Sequence, residues 1–320
     1  MRRSSSTFVA LASATALFAS IGSATAQLSL DVLQRDGYGV VPISRPLPNS
    51  LIVRAKINGR NANLVVDTGV AADGITLDSD YAGAVRLTGN SAPEQGWSAT
   101  GRALSVRRAV ADLVTLGNAN LKGVPVYLGA FQGLRAHDVR YRIGADGFIG
   151  TGFLRTCSAV IDLHDLRLYI RPPGQGRRAV LGPALTAIGF AAVPFVVASN
   201  TALVETQVNG VRAAMEIDTG ATGSLIDPGF AATAKAHGYK TGLGIIDAAG
   251  VQAELEQSRV RSFTIGGVPP LHATHVGVTP FAGYSATHGK LVGLLGMDIL
   301  GPNGTIIDYG EQKLYFFRAR

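Results

Sequence analysis

The sequence predicts an all-β fold: a duplicated β unit whose two copies could face each other about a pseudo-two-fold axis. Three observations predict it. The tripeptide Asp-Thr-Gly occurs twice, as Asp67-Thr68-Gly69 and Asp218-Thr219-Gly220, each time at the end of an apolar run. The chain aligns with itself, in the same order, over most of its length. Short runs rich in Val, Ile and Leu are separated by Gly, Asn and Asp, which is the composition of strands and turns.

Residues 1–26 read as a signal peptide. Arg2 and Arg3 form a basic start, Phe8 to Ile21 is apolar, and Ala24-Thr25-Ala26 fits a cleavage site. Cleavage after Ala26 implies export, to the periplasm or beyond the cell. No cysteine stands at that point, which argues against a lipid anchor. No later stretch reaches about 18 uninterrupted apolar residues, so no stable membrane insertion is expected after cleavage. The chain carries 29 Lys and Arg against 22 Asp and Glu, a net charge of +7. The excess is dispersed, and pairs such as Arg107-Arg108 and Arg177-Arg178 are too short to argue for nucleic acid. Cys157 is the only cysteine, which excludes an intramolecular disulfide. Its apolar context reads as a buried structural thiol.

The internal repeat sets the domain boundaries. Gly37-Tyr38-Gly39-Val40-Val41-Pro42 matches Gly189-Phe190-Ala191-Ala192-Val193-Pro194. Ile57-Asn58-Gly59 matches Val208-Asn209-Gly210, and the two Asp-Thr-Gly copies follow in register. Gly147-Phe148-Ile149-Gly150 matches Gly293-Leu294-Leu295-Gly296, and Ile161-Asp162 matches Ile307-Asp308. Order is kept and the spacing drifts only slightly, as loop insertions would cause. An N-terminal lobe over 27–172, a linker over 173–188 and a C-terminal lobe over 189–320 are expected.

Within each unit, Asn58-Gly59 and Asn209-Gly210 stand between apolar runs and predict tight hairpins. Ile161 to Ile170 and Thr305 to Phe317 predict a further hairpin each. A short helix is expected after each Gly-apolar-apolar-Gly, and another over Pro228 to His237.

Each hairpin delivers its Asp to a strand end on a tight turn. Gly69 is expected to give that turn a conformation closed to residues with a Cβ, and the Thr68 hydroxyl to lock the neighbouring turn by hydrogen bonding. Asp218, Thr219 and Gly220 repeat the element. If the two turns meet, the carboxylates cannot both ionise cheaply, so one pKa rises and one falls. The ionised group can then take a proton from water while the neutral one donates to a carbonyl oxygen.

Asp-Thr-Gly, a flap hairpin, then apolar-apolar-Gly before a short helix resembles the retropepsin-like aspartic proteases. The second copy is the closer match, from Ile217-Asp218-Thr219-Gly220-Ala221 to Gly293-Leu294-Leu295-Gly296-Met297-Asp298. Exported bacterial proteins with two such units look most similar. The resemblance implies pepsin-like bilobal architecture, with two tandem β-barrel lobes related by a pseudo-two-fold axis, and an aspartic endopeptidase with Asp67 and Asp218 as catalytic pair. Thr68, Gly69, Thr219 and Gly220 would support the pair. It implies no cofactor and no metal, a peptide or protein substrate, and a monomer or homodimer. The flaps would lie at Gln95 to Gly101, where Trp97 either covers substrate or anchors the core, and at Ile245 to Val251, with Ile246 and Ala248 as substrate contacts.

The first copy departs from the pattern. Val70 stands where Ala221 keeps the usual small residue, and Gly152 stands where the second copy has Asp298. Neither Val70 nor Ala221 offers a hydroxyl to a carboxylate, so a pH optimum less acidic than that of pepsin-like enzymes with Ser there is expected. Two other readings remain open at this point. One is a peptide-binding protein of the cell envelope that keeps the fold without cutting; the other is a homodimer that uses only the second Asp-Thr-Gly. His272 and His275 point to opposite faces of a strand and read as surface residues. Phosphate-loop, Gly-x-Ser-x-Gly and His-Glu-x-x-His motifs are absent.

Overall fold

The structure is a computed structural model that describes residues 32–46, 50–97, 103–131, 144–174, 180–246, 252–270, 275–280 and 291–317, without the side chains of 97, 241–246, 252 and 253. The signal-peptide reading, both expected flap tips with Ala248, and His272 lie outside the described residues, as do the Trp97 and Ile246 side chains.

Among the described residues, ten strands form the first half: β1 (Gly39–Ser44), β2 (Ile52–Ile57), β3 (Arg60–Val66), β4 (Ile75–Asp78), β5 (Glu94–Trp97), β6 (Ala103–Leu116), β7 (Ala119–Gly129), β8 (Gly147–Ile149), β9 (Val160–Asp162) and β10 (Arg167–Ile170). Alternation drives them: β2 buries Val53, Ala55 and Ile57 and exposes Arg54 and Lys56 between them. Six of these strands close into a barrel. β2 pairs with β3, β3 with β8, β8 with β4, β4 with β7, β7 with β6, and β6 returns to β2. The β2–β3 turn is the predicted one. Asn58 and Gly59 take φ of 47° and 85°, the left-handed pair that a two-residue hairpin requires.

The second half comprises β11 (Phe190–Ala198), β12 (Thr201–Val208), β13 (Val211–Ile217), β14 (Leu225–Ile226), β15 (Tyr239–Ile246), β16 (Gln252–Arg259), β17 (Phe263–Ile265), β18 (His275–Val278), β19 (Gly293–Leu295), β20 (Ile306–Asp308) and β21 (Lys313–Phe317). Its pairings follow the same plan: β12–β13, β13–β19, β19–β14, β14–β18 and β18–β16. The strand that corresponds to β6 is broken at Val260-Arg261-Ser262, so β17 rather than β16 pairs with β12.

A further sheet joins the halves. Its order is β1–β10–β9–β20–β21–β11, with Ile161 opposite Ile307 at the junction. One face, with Ile161, Ile307, Leu168 and Leu314, belongs to the main core. The other face carries Val160, Tyr169, Phe190, Ile306 and Tyr315 and is covered by Leu33, Tyr38, Leu181 and Leu185.

Helices are short: α1 (Ser79–Ala82), α2 (Thr151–Thr156), α3 (Gly182–Ala187), α4 (Pro228–Thr233) and α5 (Met297–Leu300). α2 and α5 follow the Gly-apolar-apolar-Gly segments as expected. α4 is shorter than the Pro228–His237 reading. Lys235 turns to φ 50°, and Ala236 N–H closes back on Ala231 O at 2.9 Å, which caps the helix. The stretch read as a linker contains α3, and Leu185 packs against the joining sheet.

Candidate active site

Asp67 leaves β3 and Asp218 leaves β13. Parallel pairing fixes both exits: Asp67 N–H donates to Ile149 O on β8, and Asp218 N–H donates to Leu295 O on β19, each at 3.0 Å. The two Asp-Thr-Gly turns meet. Thr68 Oγ1 donates to Ile217 O (2.6 Å) and accepts from Thr219 N–H (2.9 Å). Reciprocally, Thr219 Oγ1 donates to Val66 O (2.7 Å) and accepts from Thr68 N–H (3.1 Å). Both hydroxyls are fully buried, and each locks the opposite turn.

The expected role of the glycines needs correction. Neither Gly69 nor Gly220 has a left-handed φ. The requirement is space under the opposite carboxylate. A Cβ on Gly69 would lie 2.8 Å from Asp218 Cγ, and one on Gly220 would lie 2.4 Å from Asp67 Cγ. Glycine is demanded by the other half of the chain.

The two carboxyl groups lie close enough to act on each other, each over the glycine of the opposite turn. Asp218 is buried, while Asp67 keeps a partly exposed edge though it lies deep among protein atoms. Burial, then the charge of Asp218, holds Asp67 well above the ordinary carboxyl range. Burial also raises Asp218, but hydrogen bonds oppose it: N–H groups of Gly220 (2.8 Å) and Ala221 (3.0 Å) donate to its Oδ1, and Gly69 N–H and Asp67 contribute. Among the described residues, the Asp67 carboxyl group receives one N–H, that of Gly69, at 3.0 Å. More N–H donors face the Asp218 carboxyl group than the Asp67 carboxyl group, which favours the ionised form at Asp218. The difference starts at the residue after the glycine. Val70 N–H turns to the Asp67 backbone carbonyl (3.1 Å), whereas Ala221 N–H reaches the Asp218 side chain. Val70 does not keep the carboxyl groups apart.

Around this centre the halves diverge. Asp298 Oδ1 accepts from Ser224 N–H (2.8 Å) and Ser224 Oγ (2.7 Å), and Gly296 N–H donates to Ser224 Oγ (2.9 Å). In the first half, Phe153 N–H meets Ala72 O directly (3.1 Å), and a Cβ on Gly152 would lie 2.6 Å from that oxygen. Gly152 reflects tighter packing, not a missing acid. Thr151 and Tyr309 were not singled out by sequence. Thr151 Oγ1 donates to Thr68 O (2.7 Å) and lies 2.8 Å from Tyr309 Oη. The available signal was a mismatch between aligned positions, Thr151 against Met297 and Tyr309 against Leu163.

Two apolar walls flank the turns. Val65, Phe131 and Phe148 pack with Val70 and Leu104 on one side. Leu225, Leu291 and Leu294 pack with Ala221 and Leu255 on the other. Leu104 and Leu255 belong to the hairpins β5–β6 and β15–β16, where flaps were expected. Trp97 pairs with Ala103 and Ile246 with Gln252 as the last described pairs before each tip. Among the described residues no group of His, Cys, Asp and Glu is placed to hold a metal ion.

A mostly β chain with a closed barrel, in which two Asp-Thr-Gly turns bring their carboxyl groups into contact, has the architecture of an aspartic-type hydrolase. The family model described as aspartyl protease matches residues 53–153 and again residues 204–299, more than half of the chain, and the protein belongs to that family. No curated protein sequence matches the chain significantly.

Proposed function

We propose that this protein is a single-chain aspartic endopeptidase that uses Asp67 and Asp218 as one catalytic pair. The observation that carries the reading is the contact between the two carboxyl groups, each lying over the glycine of the opposite turn. Two carboxyl groups this close share one proton, the arithmetic by which aspartic proteases work. Water held between them loses a proton to Asp218 as its oxygen attacks the peptide carbonyl carbon. Asp67 gives its proton to the carbonyl oxygen. As the C–N bond breaks, the amine takes a proton from Asp218, and Asp67 recovers one from the hydroxyl of the tetrahedral intermediate. Substrate side chains would lie along the two apolar walls, with the aromatic wall on the first-half side.

In this reading, residues 27–172 and 189–320 are lobes about a pseudo-two-fold axis, and the protein acts after export. The reciprocal threonine bonds support that relationship. The test is cleavage of a diverse peptide library across acidic to neutral pH, beside Asp67→Asn and Asp218→Asn. Loss in both variants supports the reading. Loss in Asp218→Asn alone would favour a homodimer pairing two second-half turns. No cleavage by folded parent protein would favour a peptide-binding role.

A further inference from the structure

The hydrogen-bond directions beneath the pair can be assigned from chemistry alone. Thr68 O is a carbonyl and only accepts, so the single proton of Thr151 Oγ1 goes to it. Tyr309 must then be the donor in its 2.8 Å contact with Thr151. Thr68 C=O belongs to the same peptide unit as Gly69 N–H. That N–H donates to Asp67 Oδ1 at 3.0 Å and also acts on Asp218. A continuous chain results: Tyr309 O–H, Thr151 O–H, the Thr68–Gly69 peptide, and the two carboxyl groups. Tyr309, Thr151 and Thr68 are all buried.

The chain is one-sided. Thr151 N–H donates to Val70 O, and Met297 N–H makes the corresponding bond to Ala221 O, but Met297 has no hydroxyl. Tyr309 N–H donates to Ala159 O, and Leu163 N–H makes the corresponding bond to Thr305 O, but Leu163 has none either. The Tyr309 ring is held edge-on by Phe195, with centroids 5.6 Å apart, so the hydroxyl has a fixed approach.

We propose that Tyr309 and Thr151 are positioning residues for the Asp67–Asp218 pair, acting by polarising the Thr68–Gly69 peptide so that Gly69 N–H becomes a stronger donor to both carboxyl groups. Chained hydrogen bonds strengthen one another in a low-dielectric interior. A donor strengthened in this way stabilises the charged form of the pair. The ionisable groups that act on this region from both halves are Asp67, Asp218, Glu216 and Tyr309 itself. Burial raises Tyr309 so far that it stays protonated and remains a donor wherever the carboxyl groups titrate.

This inference rests on the catalytic reading of the pair, but its test does not require turnover. The carboxyl carbons of labelled aspartate in the full chain are titrated by NMR for the parent, Thr151→Val, Thr151→Ser and Tyr309→Phe, and kcat/KM is followed against pH in parallel. Weakening the Gly69 donor raises the first ionisation of the pair, by about half a pH unit in Thr151→Val and less in Tyr309→Phe. Thr151→Ser keeps the hydroxyl and titrates as the parent does. A parental titration in both Thr151→Val and Tyr309→Phe, whatever their thermal stability, would overturn the proposal. If one of these two variants does not fold, the other decides. A parent without peptidase activity would count against the proposed function, while the titration would still decide the role of the hydroxyl chain.

Discussion

Gly220 lies directly beneath the Asp67 carboxyl group: a Cβ there would stand 2.4 Å from Asp67 Cγ and 2.5 Å from both oxygens. Gly69 bears the same relation to Asp218, with 2.8 Å to Cγ and 2.9 Å to both oxygens. Each turn is thus shaped by the other. Gly220→Ala must displace Asp67 or its own turn, and a shift near 1 Å in a reacting group costs about 100-fold in rate. kcat is expected to fall by at least that factor in Gly220→Ala and by less in Gly69→Ala, with a stability loss of about 1–3 kcal/mol for the overpacking. Paired measurements of kcat and Tm check this; parental kcat in Gly220→Ala would refute the steric argument.

The crossed threonine bonds form one buried unit. Removing the Thr219 hydroxyl strands Val66 O and Thr68 N–H together. Thr219→Val is expected to cost about 2–4 kcal/mol, because buried groups left unpaired carry their full desolvation penalty. Thr219→Ser, which keeps the hydroxyl, should cost much less. Thr68→Val should behave likewise, and the double variant should lose less than the two single losses added, since each breaks part of the same ring. Urea unfolding of the four variants measures the coupling. Simple additivity would mean that the two hydroxyls act independently.

The acid of the second half cannot be transplanted into the first. Asp298 holds Ser224 through two bonds to one oxygen. Gly152 stands where backbone already fills the space, with Ala72 O 2.6 Å from any Cβ. Gly152→Asp is expected to destabilise by about 1–3 kcal/mol. Asp298→Ala, which leaves the buried Ser224 N–H without its acceptor, should lose about as much. Thermal unfolding of the two variants checks both; a stabilised Gly152→Asp would show that the first half had room for the carboxylate.

Local signals in the sequence carried far. Asn58-Gly59 and Asn209-Gly210 adopt the left-handed turns their composition demands, and the two Asp-Thr-Gly segments meet. The missing parts depend on contacts across the chain. The need for Gly69 was legible as a glycine, but its reason lies 149 residues away in Asp218. Local reasoning supplied a dihedral explanation that the backbone does not support. The Thr151–Tyr309 link spans 158 residues and joins two hydroxyls with no common motif. Leu181 and Leu185 follow a Pro- and Gly-rich stretch that reads as a linker, yet they complete the packing over Tyr169 and Tyr315. Periodicity reports which side of an element is buried, not what lies opposite it.

Activity should fail early on the acid side. Asp67 and Asp218 are both raised, first by burial. In the proposed mechanism, acidification therefore protonates the pair at pH values above the ordinary carboxyl range and removes the base that activates water. kcat/KM is expected to fall as pH drops through the acid range, with little activity left at pH values where free carboxyl groups are still ionised. A profile still rising below about pH 3, under both reference carboxyl pKa values, would show that the pair is better stabilised as an anion than its donors suggest.

Asp162, at the junction of the halves, gives a second pH dependence, this time in stability. Its Oδ1 accepts N–H groups of His164 (2.9 Å) and Asp165 (3.0 Å), and its Oδ2 is buried without a hydrogen-bond partner among the described residues. Burial pushes this carboxyl from 3.8 up to about 6. The folded state then keeps a proton that the unfolded chain has already lost. The resulting stabilisation is complete below pH 3.8 and disappears as pH rises through about 6. At about 1.4 kcal/mol per pKa unit, the swing is at most about 3 kcal/mol. Asp162→Asn cannot titrate and should lack this decline. Unfolding free energies at pH 4 and pH 7 are therefore expected to differ more in the parent than in Asp162→Asn. Equal differences would mean that Asp162 is already ionised in the folded protein at pH 4, held by its two N–H donors against the cost of burial.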